Sequence, residues 1–170
     1  ETNGGASEQV NLLYGENPNQ AVRTFTKPFN EAGIQTHMLD RGLNGLRMNP
    51  VPADVRELMY KVKKAQGTDI TRIFDGLNDV RNIAPSIRYA KAAGMIAQAT
   101  MCITHSEVHT AEYYINMAEQ LIAEGAQEIC LKDMAGIGRP ETLAKIVKAI
   151  KLSHPDITIQ YHGHSGPGFS

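Results

Sequence analysis

The feature that most constrains the fold of this chain is a recurrence. Four amphipathic runs each close on a glycine, at Gly33, Gly67, Gly94 and Gly125, and these glycines stand 34, 27 and 31 residues apart. That spacing is the length of one βα unit, with the glycine in the left-handed position that ends a helix and leads into the next strand. The apolar runs that follow, Ile34–Asp40, Ile70–Phe74, part of Met95–Thr104, Glu128–Lys132 and Ile157–His162, carry the β-branched residues of buried parallel strands. A further strand is hinted at before Gly4-Gly5. Between the strands lie helical stripes. Pro52-Ala53-Asp54 opens one with Val55, Leu58, Met59 and Val62, and Pro140 opens another with Leu143, Ile146, Val147 and Ile150. Thr110 precedes a third stripe of Ile115, Ala118, Leu121 and Ile122. Pro85 falls inside the Asp79–Ala93 pattern and predicts a kink or a late helix start.

Five strands in strict βα order fit an open doubly wound sheet or a (β/α)8 barrel. No G-x-G-x-x-G follows a strand, and Gly136-Ile137-Gly138 lacks the remaining glycine, so the nucleotide-binding open sheet loses ground. A complete barrel takes eight units and about 250 residues. The expected fold is therefore α/β, a partial (β/α)8 TIM barrel occupying residues 1–170 as one domain, with the first and last strands missing.

Charge narrows the partners. Seventeen Lys+Arg against eighteen Asp+Glu give a net charge of −1, which supplies no basic surplus for nucleic acid or an acidic membrane and leaves small-molecule chemistry as the default. The absence of a long apolar run and of a leader gives the expectation of a cytoplasmic protein. Cys102 and Cys130 sit inside strand-like runs and read as buried small hydrophobes, with no disulfide framework or zinc knuckle.

Catalytic groups of a barrel project from the C-terminal ends of its strands. Here those ends read Asp40-Arg41-Gly42, Phe74-Asp75-Gly76, Leu131-Lys132-Asp133 and His162-Gly163-His164. His162 and His164 are two apart on a strand, so both rings face one side, the geometry of a metal pair or of two hydrogen-bonded core histidines. Lys132 ends an apolar strand. If unpaired it is desolvated and nucleophilic, able to form a Schiff base or to capture carbon dioxide as a carbamate; the alternative is an ion pair with a carboxylate such as Asp75. Asp133 points to the opposite face. Arg41 could hold a carboxylate through two parallel hydrogen bonds, or pair with Asp40 or Asp75. His105 and His109 flank a loop; their spacing would suit a metal only on a helix, and the sequence does not place them on one, so they are read as loop residues.

These strand ends resemble the carboxyltransferase domain of biotin-dependent enzymes, the pyruvate carboxylase, transcarboxylase and oxaloacetate decarboxylase alpha subunit type. The resemblance runs through Gly4-Gly5-Ala6, Met38-Leu39-Asp40-Arg41-Gly42, Ile73-Phe74-Asp75-Gly76-Leu77-Asn78-Asp79, Val108-His109-Thr110, Leu131-Lys132-Asp133-Met134-Ala135-Gly136 and His162-Gly163-His164, of which LKDMAG is the most specific. It implies a (β/α)8 barrel in which a carbamylated lysine, Lys132, ligates a divalent metal with His162 and His164. Zinc is the first expectation for that metal, with manganese or cobalt as alternatives. It further implies that Arg41 binds the carboxylate of a 2-keto acid, oxaloacetate or pyruvate, while carboxyl transfer to or from carboxybiotin passes through a metal-stabilised enolate. Lys132 and Arg41 are thus the catalytic positions. The biotin is expected on a separate carrier domain or subunit, and the open sheet edges lead us to expect an oligomer. A fourth ligand, an aspartate, is expected before Glu1, and a proton-shuttling threonine after Ser170, so the isolated chain is expected to be inactive. The chain departs from the family pattern at Asn3, where a tryptophan is usual, at Gln9, where an acid is, at Met48, where a tyrosine is, and across Ser165-Gly166-Pro167-Gly168. Two other readings fit the strand ends. One is a metal-dependent acyl-CoA lyase or condensing barrel, which uses H-x-H but does not need Lys132; the other is a non-catalytic barrel fragment.

Overall fold

A computed structural model describes Glu1–Gly166; Pro167 to Ser170, and with them the end of the Ser165-Gly166-Pro167-Gly168 stretch, lie outside the described residues. The order of elements is α1 (Gly5–Leu13), α2 (Pro18–Glu31), β1 (His37–Asp40), a single 3₁₀ turn over Gly42–Asn44, α3 (Ala53–Ala65), β2 (Ile70–Ile73), α4 (Val80–Ala92), β3 (Ile96–Cys102), α5 (Ala111–Ala123), β4 (Glu128–Asp133), α6 (Pro140–Ser153) and β5 (Thr158–Gly163). The five strands form one all-parallel sheet in the order β1-β2-β3-β4-β5. Sequential parallel order with a helix at each crossover is the construction of a (β/α) barrel, and the chain is a partial one.

The two faces of the sheet differ in chemistry because side chains alternate. One face carries Met38, Ile73, Ala97, Ala99, Met101, Ile129 and Leu131, which pack with Tyr60, Ile83, Ile87, Tyr114, Met117, Leu121, Ile146 and Ile150 of the helices into the buried core. The other carries polar residues in register: Arg72 beside Gln98 and Glu128, then Thr100 beside Cys130 and Gln160, then Cys102 beside Lys132 and His162. The second face is the inner wall on which a barrel builds its chemistry.

The helix signals act locally as their chemistry requires. Thr110 caps α5 by accepting the amide of Tyr113, and Asp79 caps α4 by accepting that of Arg81. α4 nevertheless starts at Val80 and runs through Pro85, so the late start expected from that proline does not occur. The run before Gly4-Gly5 is not a strand either. Its one ladder contact is Thr2 N donating to the carbonyl of His37, which lays the first residues along the edge of β1. Both cysteines are buried and unpaired thiols. Among the described residues no helix is long and apolar enough to cross a membrane.

Candidate metal centre and substrate pocket

His162 lies on β5 and His164 just beyond it, and the alternation of the strand brings Nε2 of one to 3.0 Å from Nε2 of the other. Two nitrogens bound to one tetrahedral ion at ~2.1 Å stand roughly 3.4 Å apart, so the two rings converge as a chelating pair does. Lys132 is the register partner of His162 on β4. Its residue is 3% exposed, and its Nζ rests over the Phe74 ring, 4.7 Å from the centroid. Burial pushes its pKa below the ordinary lysine value, against the pull of the Glu1 carboxylate. Asp75, the carboxylate considered as its partner, is spent instead on its own turn, where it accepts from the amides of Leu77 and Asp79 and from Nδ2 of Asn82. A buried amine that burial inclines to neutrality, beside two convergent imidazoles, is a donor set that suits a divalent metal once the amine carries an anionic group.

Asp133 does point away from Lys132. Its carboxylate accepts from the amides of Ile137 and Gly138 and from the Tyr161 hydroxyl, at 3.0, 2.6 and 3.1 Å. The LKDMAG segment thus divides its labour: the lysine faces the inner wall, and the aspartate fastens the loop that follows.

Arg41 stands at the C-terminal end of β1. Its Nη1 donates to the carbonyls of Leu46 and Arg47, both at 3.3 Å, and it pairs with neither Asp40 nor Asp75. Asp40 faces the helices, where Tyr60 holds it. A cavity of about 170 Å³ opens between Arg41, Leu39, Glu1 and the Gly4-Gly5 start of α1. Gly5 is required there, because a Cβ would come within 2.6 Å of Nη1 of Arg41. The pocket therefore joins a guanidinium to the amide end of a helix, both favourable to an anion.

Two residues at the heart of the site carry no motif. Arg72 on β2 is 7% exposed, and its guanidinium meets Gln98, Gln160, Glu1 and Nδ1 of His162. Glu1 meets Arg72 and lies 3.5 Å from Nδ1 of His37 and 3.8 Å from Nδ1 of His162. Burial works to raise the Glu1 carboxyl, but the His37 hydrogen bond and the charges of Arg72, His162 and His37 outweigh it and hold it at about 2. The sequence signal that could have found Arg72 is the row of long polar residues, Arg72, Gln98 and Gln160, at the inward positions of successive strands. Met48 and Gln9, by contrast, are exposed.

No family model matches the chain. Curated relatives do. It is 38% identical over 167 residues to the methylmalonyl-CoA carboxyltransferase 5S subunit of Propionibacterium freudenreichii subsp. shermanii, covering 97% of this chain and 33% of that protein. It is 33% identical over 171 residues to pyruvate carboxylase of Schizosaccharomyces pombe, covering 97% of this chain and 14% of that protein. The carboxyl transferase domain of Rhizobium etli pyruvate carboxylase, solved with pyruvate and biocytin, matches 98% of this chain and 29% of that one, at 26% identity and a TM-score of 0.88. The chain thus spans a third or less of the relatives it matches. The resemblance read from the strand ends holds, and so does the partial barrel.

Proposed function

We propose that this chain, related over nearly its whole length to carboxyl transferase domains, forms part of the active site of a biotin-dependent carboxyltransferase that moves a carboxyl group between carboxybiotin and a 2-keto acid such as pyruvate or oxaloacetate. The observation that carries the reading is the convergence of His162 and His164 next to Lys132, at the same end of the sheet as Arg41. Residues 1–170 make up one portion of the barrel domain in this reading, and the biotin arrives on a separate carrier domain or subunit.

The roles follow from each group's surroundings. The Lys132 amine, whose charged form burial disfavours, adds in its neutral form to carbon dioxide: an N–C bond forms as one C–O π bond opens, the nitrogen gives up a proton to solvent, and the product is an anionic carbamate beside the two imidazoles. That carbamate, His162 and His164 would hold a divalent metal, with zinc favoured by the nitrogen ligands and manganese or cobalt as alternatives, and the metal would supply Lewis acidity toward negative charge on the substrate's keto oxygen. Arg41 orients the substrate. Among the described residues only its Nη1 is engaged, which leaves the rest of the fork for a carboxylate in the neighbouring cavity. The amide end of α1 adds a second favourable contact for the same anion.

The test is metal content. In the full-length protein Lys132→Ala is expected to abolish stoichiometric metal, measured by elemental analysis after dialysis, while circular dichroism stays unchanged. Unaltered metal content in a folded Lys132→Ala protein overturns the carbamate assignment and leaves the acyl-CoA lyase type of barrel, which keeps the histidines and has no use for the lysine.

A further inference from the structure

Helix α3 buries a face that its composition does not favour. Arg56, Tyr60 and Lys63, spaced as i, i+4 and i+7, turn inward, while Val55 and Leu58 are exposed. Two of the three have partners: Arg56 donates Nε to the carbonyl of Val51, and Tyr60 donates its hydroxyl to Asp40. Lys63 is 5% exposed, and the carboxylate oxygen that faces it, Oε2 of Glu8, stands at 3.9 Å, beyond hydrogen-bonding reach. Among the described residues its Nζ meets no acceptor. An ammonium brings three donors, and leaving them unmade in a buried place is costly. Burial presses its pKa below the ordinary lysine value, against the pull of Glu8.

Lys63 stands at the wall of a cavity of about 210 Å³ between α1, α2 and α3. Ser7 and Asn11 of α1 bring a hydroxyl and an amide to the same cavity, and Val22 and Phe25 of α2 bring an apolar side. Asn3, 3% exposed, also lines it: its Nδ2 is spent on Oγ1 of Thr68, and its Oδ1 is buried without a partner among the described residues. Two deeply buried polar side chains are thus short of partners around one small space. Native interiors pair such groups, so unpaired ones beside a cavity point to a molecule that enters it. The charges decide its kind. One cation and one carboxylate, Lys63 and Glu8, line the cavity, which is too little positive charge for a phosphate dianion. A single carboxylate suits it, because Glu8 already brings that group toward Nζ and falls short by about 1 Å. The Glu8 side chain is 27% exposed, so it can swing to water and yield the position. The volume limits the rest of the molecule to a few carbon atoms, and Val22 and Phe25 favour apolar ones.

We propose that this cavity is a binding site for a small aliphatic monocarboxylate, whose carboxylate takes the Lys63 ammonium and whose carbon tail lies against Val22 and Phe25. Glu8 is the resident competitor for that ammonium. The cavity backs onto the one beside Arg41, with Thr2 and Ser7 in the walls of both, so two anion sites are neighbours across the start of α1. The Lys63 site does not depend on the carboxyltransferase reading.

The experiment titrates propionate into the full-length protein at about pH 6, which favours the charged amine, with sodium chloride at equal ionic strength as the control. Carbon-13 NMR follows Cε of Lys63 and the methyl groups of Val22. Both are expected to shift with one Kd on the order of 1 mM. Lys63→Met is expected to weaken the Val22 response roughly tenfold or more, and Glu8→Gln, which removes the competitor and keeps its shape, to tighten it severalfold. Lys63 and Val22 signals that ignore propionate, or that follow chloride equally, overturn the site. So does a folded Lys63→Met protein that binds as tightly as the unmodified one, and so does a response seen at Arg41 Nε alone, which is binding in the neighbouring pocket. Glu8→Gln is the milder change and decides the matter if Lys63→Met does not fold: affinity that is unchanged or lower overturns the competition for Nζ. Loss of carboxyl transfer as the function would leave each of these outcomes where it stands.

Discussion

Tyr60 donates its hydroxyl to the carboxyl of Asp40 on the helix side of β1, one residue before Arg41 turns to the other side. Oδ2 of Asp40 also accepts from Thr71, while Oδ1 is buried with no partner among the described residues. Burial pushes this carboxyl from 3.8 up to about 7, against the hydrogen bonds of Tyr60 and Thr71, the charge of Arg56 and the Gly42 amide. Between those two values the folded chain holds a proton that the unfolded chain has released. The resulting stability is fully present below the unfolded value and is lost as pH rises through the folded one, an effect on the order of 4 kcal/mol. Urea midpoints are therefore expected to fall between pH 4.5 and 7.5, and to fall much less in Asp40→Asn. Parallel pH dependence in the two proteins would show that another group governs it.

Asp133 titrates in the opposite sense. Burial works to raise it, but the amides of Gly138, Ile137 and Gly136 and the Tyr161 hydroxyl outweigh burial and hold it below the ordinary value. Its stabilisation is present above the unfolded value and is lost as pH falls through the folded one. Asp133→Asn keeps at most one acceptor oxygen, so we expect a loss of about 1–3 kcal/mol and faster amide exchange at Ile137 and Gly138. Unchanged exchange at those two amides would mean that the carboxylate does not fasten the loop.

Asn78, inside the Phe74–Asp79 segment, is a bracket. It sits at φ 59, donates Nδ2 to the carbonyl of Cys102 at 2.8 Å, and accepts the amide of Cys102 at 2.7 Å. Asn78→Ala loses both buried bonds and strains a left-handed position, and is expected to cost about 2–4 kcal/mol. Asn78→Gly removes the strain and keeps the loss, so it should recover roughly 1 kcal/mol in thermal melts. Equal melting of the two variants would place the whole cost in the hydrogen bonds.

Two of the helix-ending glycines separate strain from crowding. Gly94 (φ 77) has open space around a would-be Cβ, whereas at Gly67 (φ 97) a Cβ would lie 2.7 Å from Thr26 Oγ1 and 2.9 Å from Asn30 Nδ2. Those two side chains are fixed by bonds to the carbonyls of Gln66 and Gly67. Gly94→Ala should cost about 1–2 kcal/mol for the backbone alone, and Gly67→Ala at least about 1 kcal/mol more, read from denaturant midpoints. The reverse order would refute the crowding.

The sheet was legible because its determinants are local. The strands at Ile70 and Glu128 and the helices after Pro52, Thr110 and Pro140 lie within a few residues of their expected bounds, each set by an apolar period and a cap. α1 and α2 were less legible. Val10, Leu12, Leu13 and Tyr14 of that region are exposed, so no clean stripe marks them. Of the candidate site, Lys132 is legible because a lysine is costly at the buried end of an apolar strand, and His162 and His164 because their two-residue spacing puts both rings on one side. Glu1 and Arg72 did not stand out. Their importance is a matter of residues far apart in sequence meeting on the inner wall, and periodicity within one segment carries no record of that meeting.

The strict β1-to-β5 order has a kinetic consequence. Each strand pairs with one about thirty residues away, so the sheet can grow by short loop closures, whereas bringing Glu1 to His162 closes nearly the entire chain. Closed directly from the open chain, this loop would cost roughly 1.5 kcal/mol more than a thirty-residue one; pairing of the strands first shortens the effective loop and removes most of that difference. Formation of the sheet and the meeting of Glu1 with His162 are then separable events, and a chain that has lost only the Glu1 contact would keep its native circular dichroism.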